Sequence, residues 1–438
     1  MSDNKSNIYN YVVVGGGASG VFSAIQFCLA LKSGPPKVLI AEGSRRLLTK
    51  VKISGGGRCN VTHHEFDPKK LVTNYPRGER ELRGPFSRFQ PEDTKNFFEE
   101  RGVDLKVESD GRMFPVTDNS QTIIDCLLRE AEKNSVEIKK GYLFESIEQK
   151  DGIFVLTDKK GEKVYSKKVL IATGSNPSVW AILSELGVDI VDPIPSLFTF
   201  TISHALLDDA AGTAFETVGL SLKIFGKDYL EEYKSETKES KKYQFAFKGP
   251  LLITHWGLSG PAVLKLSAFA ARHLFKTGYR AELTCNFMND KTPEVVLEEL
   301  KKEQEKSPKL KVNKYSPFSG ITRKFWGKLL SESGISEEHS WNEISLKSLR
   351  KISELLTRCS FHISGKGAFK EEFVTSGGVN LKELDLKTME LKKIPGLYVA
   401  GEATNVDGIT GGFNFQNAWT GGYLAGCDAA LKIDSELS

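Results

Sequence analysis

The sequence has little cysteine, no strong excess of either charge and no long apolar run, and each shortage excludes a class of protein. Its 438 residues include six cysteines, none at the spacing of a metal site. Basic residues exceed acidic ones by only four, too few to indicate nucleic-acid binding. No apolar run reaches the roughly 18 residues of a membrane span, and residues 1–10 do not resemble a signal peptide. We therefore expect a cytoplasmic protein with reduced thiols, no metal and no membrane anchor.

Glycine is abundant, with 40 residues, and the first glycine cluster predicts a nucleotide site. It lies in a predicted βαβ unit made of the strand Tyr9–Val14, the helix Val21–Leu31 and the strand Lys37–Ala41. Gly15 permits a tight turn, Gly17 lets the backbone approach a pyrophosphate, and Gly20 lets helix and strand pack closely. Glu42, 22 residues after Gly20, ends the second strand, where its carboxylate is placed to accept hydrogen bonds from ribose hydroxyls.

Two further strand ends decide between FAD and NAD. Lys168–Gly174 and Leu397–Glu402 are apolar runs that end in turns of small residues. A long cofactor can lie across several strand ends of one sheet, whereas a single NAD module needs neither segment. Glu42 also disfavours a 2′-phosphate, because two anions repel. These patterns favour FAD.

The middle of the chain differs in character from both ends. Residues 197–290 hold many short strand-like runs, and 292–358 are helical in pattern, so 196–362 is predicted to be an insertion. Before it, we predict helices at Pro91–Glu100 and Asp118–Lys133, and an antiparallel meander over Val136–Lys168. The charged run at 231–242 is predicted to be an exposed loop.

The chain resembles the bacterial YhiN/BaiN-type flavoproteins, also called the aminoacetone oxidase-like FAD-binding family. The matching segments are Gly15–Gly20, Ile53–Asn60 (ISGGGRCN), Lys168–Gly174, Thr254–Pro261, Thr375–Val379 and Gly396–Trp419. The resemblance implies an α/β fold: a two-dinucleotide-binding, Rossmann-like FAD domain formed by residues 1–195 and 363–438. The inserted domain at 196–362 would be β-rich over 196–290 and helical over 291–362.

The resemblance also implies a cofactor-binding role for each matching position. The pyrophosphate would be held by Gly15, Gly17, Ala18, Ser19 and Gly20, and the adenosine ribose by Glu42 and Gly43. The adenine side would be lined by Phe144, Ala172, Thr173 and Gly174, and the ribityl-phosphate region would be met by Gly401 and Glu402. The isoalloxazine would lie beside Gly412, Asn414, Phe415 and Gln416, and the cofactor would be covered by a loop that includes Gly57, Arg58, Cys59 and Asn60.

Three side chains carry alternatives. Arg58 is interpreted as a cation that neutralises FAD phosphates or clamps an anionic substrate; the alternative is a structural anchor. Cys59 is either a redox thiol next to the flavin or a small residue packed against the cofactor. No second cysteine lies nearby for a dithiol relay, which favours the packed residue. His255 is the candidate catalytic residue, a proton donor to the substrate, and the alternative is a structural histidine in a turn.

The predicted function is an FAD-dependent oxidoreductase that transfers a hydride between flavin N5 and a small molecule or NAD(P)H. The family's relatives imply two activities, amine oxidation of the aminoacetone type and reduction of a conjugated alkene. The basic segments Arg45–Lys52 and Lys301–Lys314 motivate a flavin-containing RNA-binding or assembly protein as an alternative, and an NAD-only dehydrogenase is another. We expect a small-molecule substrate and no nucleic acid, and the oligomeric state stays open.

Overall fold

A computed structural model describes residues 8–224, 244–367 and 374–437. The chain divides into two compact units: Met1–Pro193 with Thr375–Ser438, and Ile194–Val374. The second unit extends past residue 362, where the sequence placed the end of the insertion, because Cys359–Ile363 and Gly365–Lys366 are strands of its sheet. The charged run at 231–242 lies outside the described residues.

Strands occur in both units. In chain order they are β1 (Ile8–Val14), β2 (Val38–Glu42), β3 (Thr62–His63), β4 (Leu105–Val107), β5 (Arg112–Pro115), β6 (Glu137–Lys140), β7 (Phe144–Lys150), β8 (Ile153–Asp158), β9 (Lys163–Ile171), β10 (Ile190–Ser196), β11 (Phe200–Thr201), β12 (Ala214–Ile224), β13 (Gln244–Thr254), β14 (Gly257–Ser259), β15 (Ala281–Asn286), β16 (Cys359–Ile363), β17 (Gly365–Lys366), β18 (Val374–Val379), β19 (Leu384–Asp385), β20 (Glu390–Leu391) and β21 (Leu397–Val399).

Helices alternate with these strands. They are α1 (Ala18–Ala30), α2 (Thr49–Gly57), α3 (Pro68–Leu71), α4 (Arg83–Phe86), α5 (Pro91–Glu99), α6 (Ser120–Lys133), α7 (Pro177–Glu185), α8 (Pro261–Lys276), α9 (Pro293–Lys306), α10 (Arg323–Glu332), α11 (Leu346–Thr357) and α12 (Phe413–Leu437). The predicted helices at Pro91–Glu100 and Asp118–Lys133 are confirmed as α5 and α6. Asn119 caps α6 by accepting a hydrogen bond from the Gln121 amide at 2.9 Å.

The first unit is built on a parallel sheet, as predicted. Its strands run in the order β19-β20-β21-β9-β1-β2-β6, and β1, β2, β6, β9 and β21 pair in parallel. The centre of β1 is fully buried, as expected for an apolar, β-branched strand in the middle of a parallel sheet. The sheet therefore presents the carboxyl ends of these parallel strands along one edge.

The predicted meander over Val136–Lys168 is partly wrong. Its first strand, β6, pairs in parallel with β2, and only β7, β8 and β9 form the antiparallel part. β9 runs on without a break to Ile171, so the apolar run that begins at Lys168 is the second half of this strand and not a strand of its own. Alternating polarity could not reveal this, because one long strand pairs antiparallel near its start and parallel near its end.

The carboxyl-terminal helix α12 packs directly on α1 of the same unit. A Cβ atom on Gly422 would lie 2.6 Å from the Ser19 carbonyl oxygen, and one on Gly426 would lie 2.4 Å from that of Ser23. Any side chain at either glycine would separate the two helix backbones. Glycine therefore brings the last helix of the chain onto the first.

The second unit is built on an antiparallel sheet with strand order β16-β15-β12-β13-β14-β11-β17. The prediction of short strands over 197–290 missed α8, whose buried face (Ala262, Val263, Leu266 and Ala270 among others) belongs to this unit's core. The helical prediction for 292–358 is confirmed by α9, α10 and α11. Among the helices that the structure describes, none combines the length and apolar character of a membrane span.

Candidate functional site

Three neighbouring parallel strands of the first unit end at the same level. Val14 of β1 and Val399 of β21 are both in register with Ile171 of β9. The ladder continues past them, because the Ala172 amide donates to the Val14 carbonyl at 2.8 Å and the Ala400 amide donates to the Ile171 carbonyl at 3.1 Å. The turns that follow these strands therefore meet at one edge of the sheet. The sequence-predicted residues brought together there are Gly15, Gly17, Ala18, Ser19, Gly20, Ala172, Thr173, Gly174, Gly401 and Glu402.

The glycine turn after β1 is held by close backbone contacts. Gly15 has a φ of 112°, and a Cβ atom there would lie 2.4 Å from the Ala172 carbonyl oxygen. A Cβ atom on Gly20 would lie 2.0 Å from the Gly15 carbonyl oxygen. Nothing lies within 4 Å of the corresponding position on Gly17, which precedes α1 and gives it no side-chain cap. Gly15 and Gly20 thus serve packing, whereas Gly17 leaves space beside the amides that begin α1.

Glu42 lies beside this turn. Its carboxylate accepts hydrogen bonds from the amides of Gly16 at 2.6 Å and Ser44 at 2.7 Å. Its backbone carbonyl accepts from the Tyr142 amide at 3.0 Å, and a Cβ atom on Gly43 would touch Leu143. Buried Phe144 follows directly. The predicted ribose and adenine positions 42, 43 and 144 are therefore neighbours.

Glu402 projects from the short 3-10 helix that follows β21. Its carboxylate forms an ion pair with Lys50 and accepts from the Thr375 amide at 3.3 Å. A Cβ atom on Gly174 would lie 3.7 Å from one of its oxygens, so Glu402 lies beside the end of β9. The sequence did not single out Lys50, because its partner is 352 residues away along the chain.

The loop before α12 is fixed by side chains from the amino-terminal half of the chain. Arg77 forms an ion pair with the fully buried Asp407. The Asn414 amide both donates to and accepts from the backbone of Gly408, at 2.9 and 2.8 Å. His63 stacks on Phe413 with ring centroids 4.5 Å apart, and burial lowers its pKa, so the ring is neutral at pH 7. These contacts set the position at which α12 begins.

The Gln416 side chain lies inside the first unit. It is fully buried, and its Oε1 accepts from the hydroxyls of Thr62 at 2.6 Å and Thr94 at 2.9 Å. Its Nε2 donates to Thr420 Oγ1 at 3.1 Å. Both polar atoms of the amide are thus engaged, and the neighbouring Phe415 ring stacks on Trp419. The resemblance places Gln416 and Phe415 at the isoalloxazine; the side-chain contacts seen here are with other protein residues, and the cofactor role of both positions stays a prediction.

The predicted loop at Ser54–Asn60 begins as the end of α2, where the helix breaks at Ser54. Gly55, Gly56 and Gly57 all have positive φ, as does buried Cys59 at 63°. Burial raises the pKa of the Cys59 thiol to about 12, so it is protonated and unreactive at neutral pH. With its amide oriented to satisfy its neighbours, Asn60 donates to the Thr62 carbonyl and accepts from the Gly412 amide at 2.9 Å.

Arg58 is committed to protein carboxylates. Its guanidinium lies 2.7 Å from Glu108 and 3.6 Å from Asp118, and it stacks over the Phe114 ring at 4.0 Å. These partners lie on or beside β4 and β5 and not among the strand ends of the parallel sheet. The contacts match the structural anchor, one of its two predicted roles.

His255 belongs to the second unit. It lines an open cavity of about 550 Å³. The other lining residues are Ile202, Leu207, Asp208, Asp209, Ala211, Thr254, Gly257 and Lys324. A histidine beside a cavity of this size is placed to exchange protons with a bound molecule, and its catalytic role stays a prediction.

Two buried hydroxyls test whether FAD fits the strand ends of the first unit. Ser19 Oγ, in the first turn of α1, and Thr173 Oγ1, after β9, find no hydrogen-bond partner within the described part of the chain. An unsatisfied buried hydroxyl is costly unless a ligand completes it. Together with the open position at Gly17 and the carboxylates of Glu42 and Glu402, they suit a nucleotide that runs across the three strand ends.

The model of the HI0933-like protein Rossmann domain family matches residues 9–428. The chain belongs to this family. The predicted family and α/β class are confirmed: the first unit of this HI0933-like protein is a Rossmann-type FAD-binding domain, and the protein is an FAD-dependent oxidoreductase.

Known proteins resemble this family member over nearly its full length. The ribosomal RNA dihydrouridine synthase of Escherichia coli (strain K12) is 27% identical over 432 residues, 96% of this chain and 98% of that protein. The 3-dehydro-bile acid delta(4,6)-reductase of Clostridium scindens is 26% identical over 429 residues, with the same shares covered. The crystal structure of a 3-ketosteroid-delta4-(5alpha)-dehydrogenase from Rhodococcus jostii RHA1 shares the fold, with a TM-score of 0.51, 14% identity and 98% of each chain covered.

Proposed function

We propose that this flavoprotein is a reductase that saturates a carbon–carbon double bond conjugated with a carbonyl group. The strongest support is that two relatives, matched over nearly their full length, are named for reactions that saturate such a bond. Conversion of uridine to dihydrouridine saturates a ring double bond next to a carbonyl, and the bile-acid reductase is named for 4,6 double bonds of a 3-dehydro compound. In both, the bond is polarised for hydride addition.

The residues of the first unit would hold and orient the cofactor. When bound, FAD supplies the hydride transfer between NAD(P)H and the substrate carbon. Ser19 and the first amides of α1 would bind the pyrophosphate, and Glu42 would accept hydrogen bonds from the adenosine ribose. Asn414 fixes the start of α12, where the helix dipole favours negative charge.

The proton balance assigns a role to His255. Reduction of the double bond consumes one hydride from NAD(P)H and one proton, and it yields NAD(P)⁺ and two new C–H bonds. We assign that proton to His255, the candidate donor to the substrate carbon next to the carbonyl. The amine-oxidase alternative runs in the opposite sense, because an amine loses a hydride and oxygen accepts the electrons.

Anaerobic half-reactions distinguish these two activities. Holoprotein is mixed with NADPH, NADH or aminoacetone, and the flavin absorbance near 450 nm is followed. A reductase loses its yellow colour with a reduced nicotinamide and regains it when a conjugated enone is added. Bleaching with the amine alone would contradict the proposal and support the oxidase.

The charge distribution favours RNA as the substrate that carries the double bond. Residues 44–90 contain eleven Lys or Arg and only four Asp or Glu, although the whole chain has a net charge of just +4. Within the described residues no ion pair engages the exposed side chains of Arg45, Arg46, Lys69, Lys70, Arg80 and Arg83. The other basic segment, Lys301–Lys314, is neutralised in part, since Lys301 pairs with Glu298 and Lys311 with Glu338.

Binding of RNA tests this second candidate function. A basic surface that binds phosphates loses affinity steeply as salt rises. We expect a gel shift with ribosomal RNA at about 50 mM salt that weakens at about 200 mM. A variant with Arg80→Gln and Arg83→Gln should weaken the shift, whereas Lys301→Gln should leave it unchanged. No shift at low salt would exclude RNA and leave the small conjugated ketone as the substrate class.

A further inference from the structure

Lys50 lies at the sheet edge formed by the ends of β1, β9 and β21, because the start of α2 is attached to the glycine turn after β1. The Leu48 amide donates to the Gly16 carbonyl at 2.9 Å, and a Cβ atom on Gly16 would lie 2.7 Å from the Leu47 side chain. Two residues later, Lys50 extends to the Glu402 carboxylate after β21. Its side chain therefore reaches from the end of β1 to the end of β21.

The charge of the site calls for a cation at this position. The FAD pyrophosphate carries two negative charges, and Glu42 and Glu402 place two carboxylates at the same strand ends. The negative charges of the phosphates and of the two carboxylates repel each other, and they disfavour binding of FAD unless a cation compensates them. The dipole of α1 supplies only about half a positive charge. Arg58, the cation expected from the sequence, is occupied by Glu108 and Asp118.

A second observation indicates a ligand between Lys50 and α1. Ser19 is 5% exposed, and its hydroxyl has no hydrogen-bond partner within the described residues. A Cβ atom on Gly401, the residue before Glu402, would lie 3.0 Å from the Ser19 Cβ atom. The unsatisfied hydroxyl and the Lys50–Glu402 ion pair are thus on adjoining parts of the same edge.

We propose that Lys50 is a cofactor-binding residue whose ammonium group neutralises the FAD pyrophosphate, and that Glu402 positions it. The Lys50 side chain is 64% exposed, so it is free to move from the carboxylate to a phosphate. A hydrogen bond between charged groups is roughly twice as strong as one between neutral groups. The inference rests on the assignment of FAD and not on the reductase function, so it stands whichever substrate is reduced.

Flavin affinity tests the proposal without any turnover. Holoprotein is stripped of FAD, and dissociation constants for FAD, ADP and adenosine are measured by titration. We expect Lys50→Gln to weaken FAD and ADP by about tenfold or more and adenosine by less than about twofold, because adenosine has no phosphate. Lys50→Arg should keep most of the affinity. Lys52→Gln is the matched control, since Lys52 lies on the same helix and donates to Gln121 at 2.9 Å.

A double-mutant cycle separates a direct role from an indirect one. If Lys50 acts on phosphate, Lys50→Gln still weakens ADP binding when Glu402 is already replaced by glutamine. Loss of the effect in the Glu402→Gln background would show that Lys50 only neutralises Glu402, and it would overturn the proposal. Equal weakening of ADP and adenosine would overturn it as well. The melting temperature of each stripped variant, compared with Lys52→Gln, reports whether the fold is intact.

Discussion

Arg77 and Asp407 form a buried ion pair that fastens the loop before α12 to a segment 330 residues earlier in the chain. Asp407 is fully buried and the Arg77 side chain is 14% exposed. Removal of the cation would take this ion pair away from a carboxylate in the interior. The pair therefore fixes the carboxyl-terminal part of the site, and loss of either partner should lower the free energy of unfolding strongly.

Arg77→Met should lower the free energy of unfolding by about 3–5 kcal/mol, because the buried Asp407 carboxylate loses its ion pair with Arg77. Urea denaturation followed by circular dichroism measures this loss. Asp290→Asn is the control, because it breaks the exposed pair with Lys248 at 2.6 Å and should cost at most about 1 kcal/mol. Equal losses of free energy of unfolding in the two variants would show that the Arg77–Asp407 pair stabilises the fold no more than an exposed ion pair.

Two glycines of the first turn should respond differently to alanine. Gly20→Ala forces a methyl group against the Gly15 carbonyl and should destabilise the fold by about 1–3 kcal/mol. Gly17→Ala meets no protein atom within 4 Å, and its φ of −80° suits alanine. It should therefore keep the melting temperature while weakening FAD by about tenfold or more. Unchanged FAD affinity in Gly17→Ala would contradict the assignment of this turn to the pyrophosphate.

Cys59 should behave as a buried, protonated thiol. Its pKa in the folded protein is about 12, above the ordinary value of 9, so the folded state holds the proton more tightly than the unfolded state. Below about pH 9 the thiol is protonated in both the folded and the unfolded state, so it adds no pH dependence to the free energy of unfolding. Above about pH 9 the unfolded state loses this proton first, and the free energy of unfolding falls by about 1.4 kcal/mol per pH unit. Wild type should thus lose stability relative to Cys59→Ala between about pH 9 and 10.5. A gap between the two proteins that does not change with pH would contradict this.

The Gln416 side chain should matter for stability more than for the flavin. Gln416→Leu leaves the hydroxyls of Thr62 and Thr94 without their shared acceptor, which should cost about 1–3 kcal/mol. The visible spectrum of bound FAD should stay unchanged. Gln149→Leu, which removes an exposed amide, is the control. A shifted flavin spectrum with normal stability would support the role at the isoalloxazine that the resemblance implies.

His255 should act on the substrate and not on flavin reduction. His255→Gln should slow re-oxidation of the reduced flavin by a conjugated substrate by about 100-fold or more, since a positioned proton donor contributes at least that much. Reduction by NAD(P)H should keep its rate, because that step uses no proton from this residue. Stopped-flow absorbance measures both steps, with His339→Gln, in the same unit, as the control. Unchanged re-oxidation would make His255 structural.

The local parts of this fold and site could be predicted from the sequence, whereas the distant pairings could not. Gly15, Gly17 and Gly20 occupy fixed positions in one strand–turn–helix unit, so their spacing alone indicates their roles. Lys50 with Glu402, and Arg77 with Asp407, depend on which loops the sheet order brings together, and no local pattern records this. For Gln416 and Arg58 the motif predicts a place beside the cofactor, and it does not record the buried hydroxyls and nearby carboxylates that these side chains contact.

The product of a single turnover shows which double bond the reduced flavin saturates. Holoprotein is reduced anaerobically with NADPH and mixed with ribosomal RNA that lacks dihydrouridine or, separately, with a conjugated 3-ketosteroid. Digested nucleosides and extracted steroid are then analysed by mass spectrometry. We expect one of the two substrates to gain two hydrogen atoms as the flavin colour returns. The excess of basic residues over 44–90 favours RNA as that substrate. Re-oxidation of the flavin by neither substrate, with turnover of an amine in air instead, would contradict the proposed reductase activity.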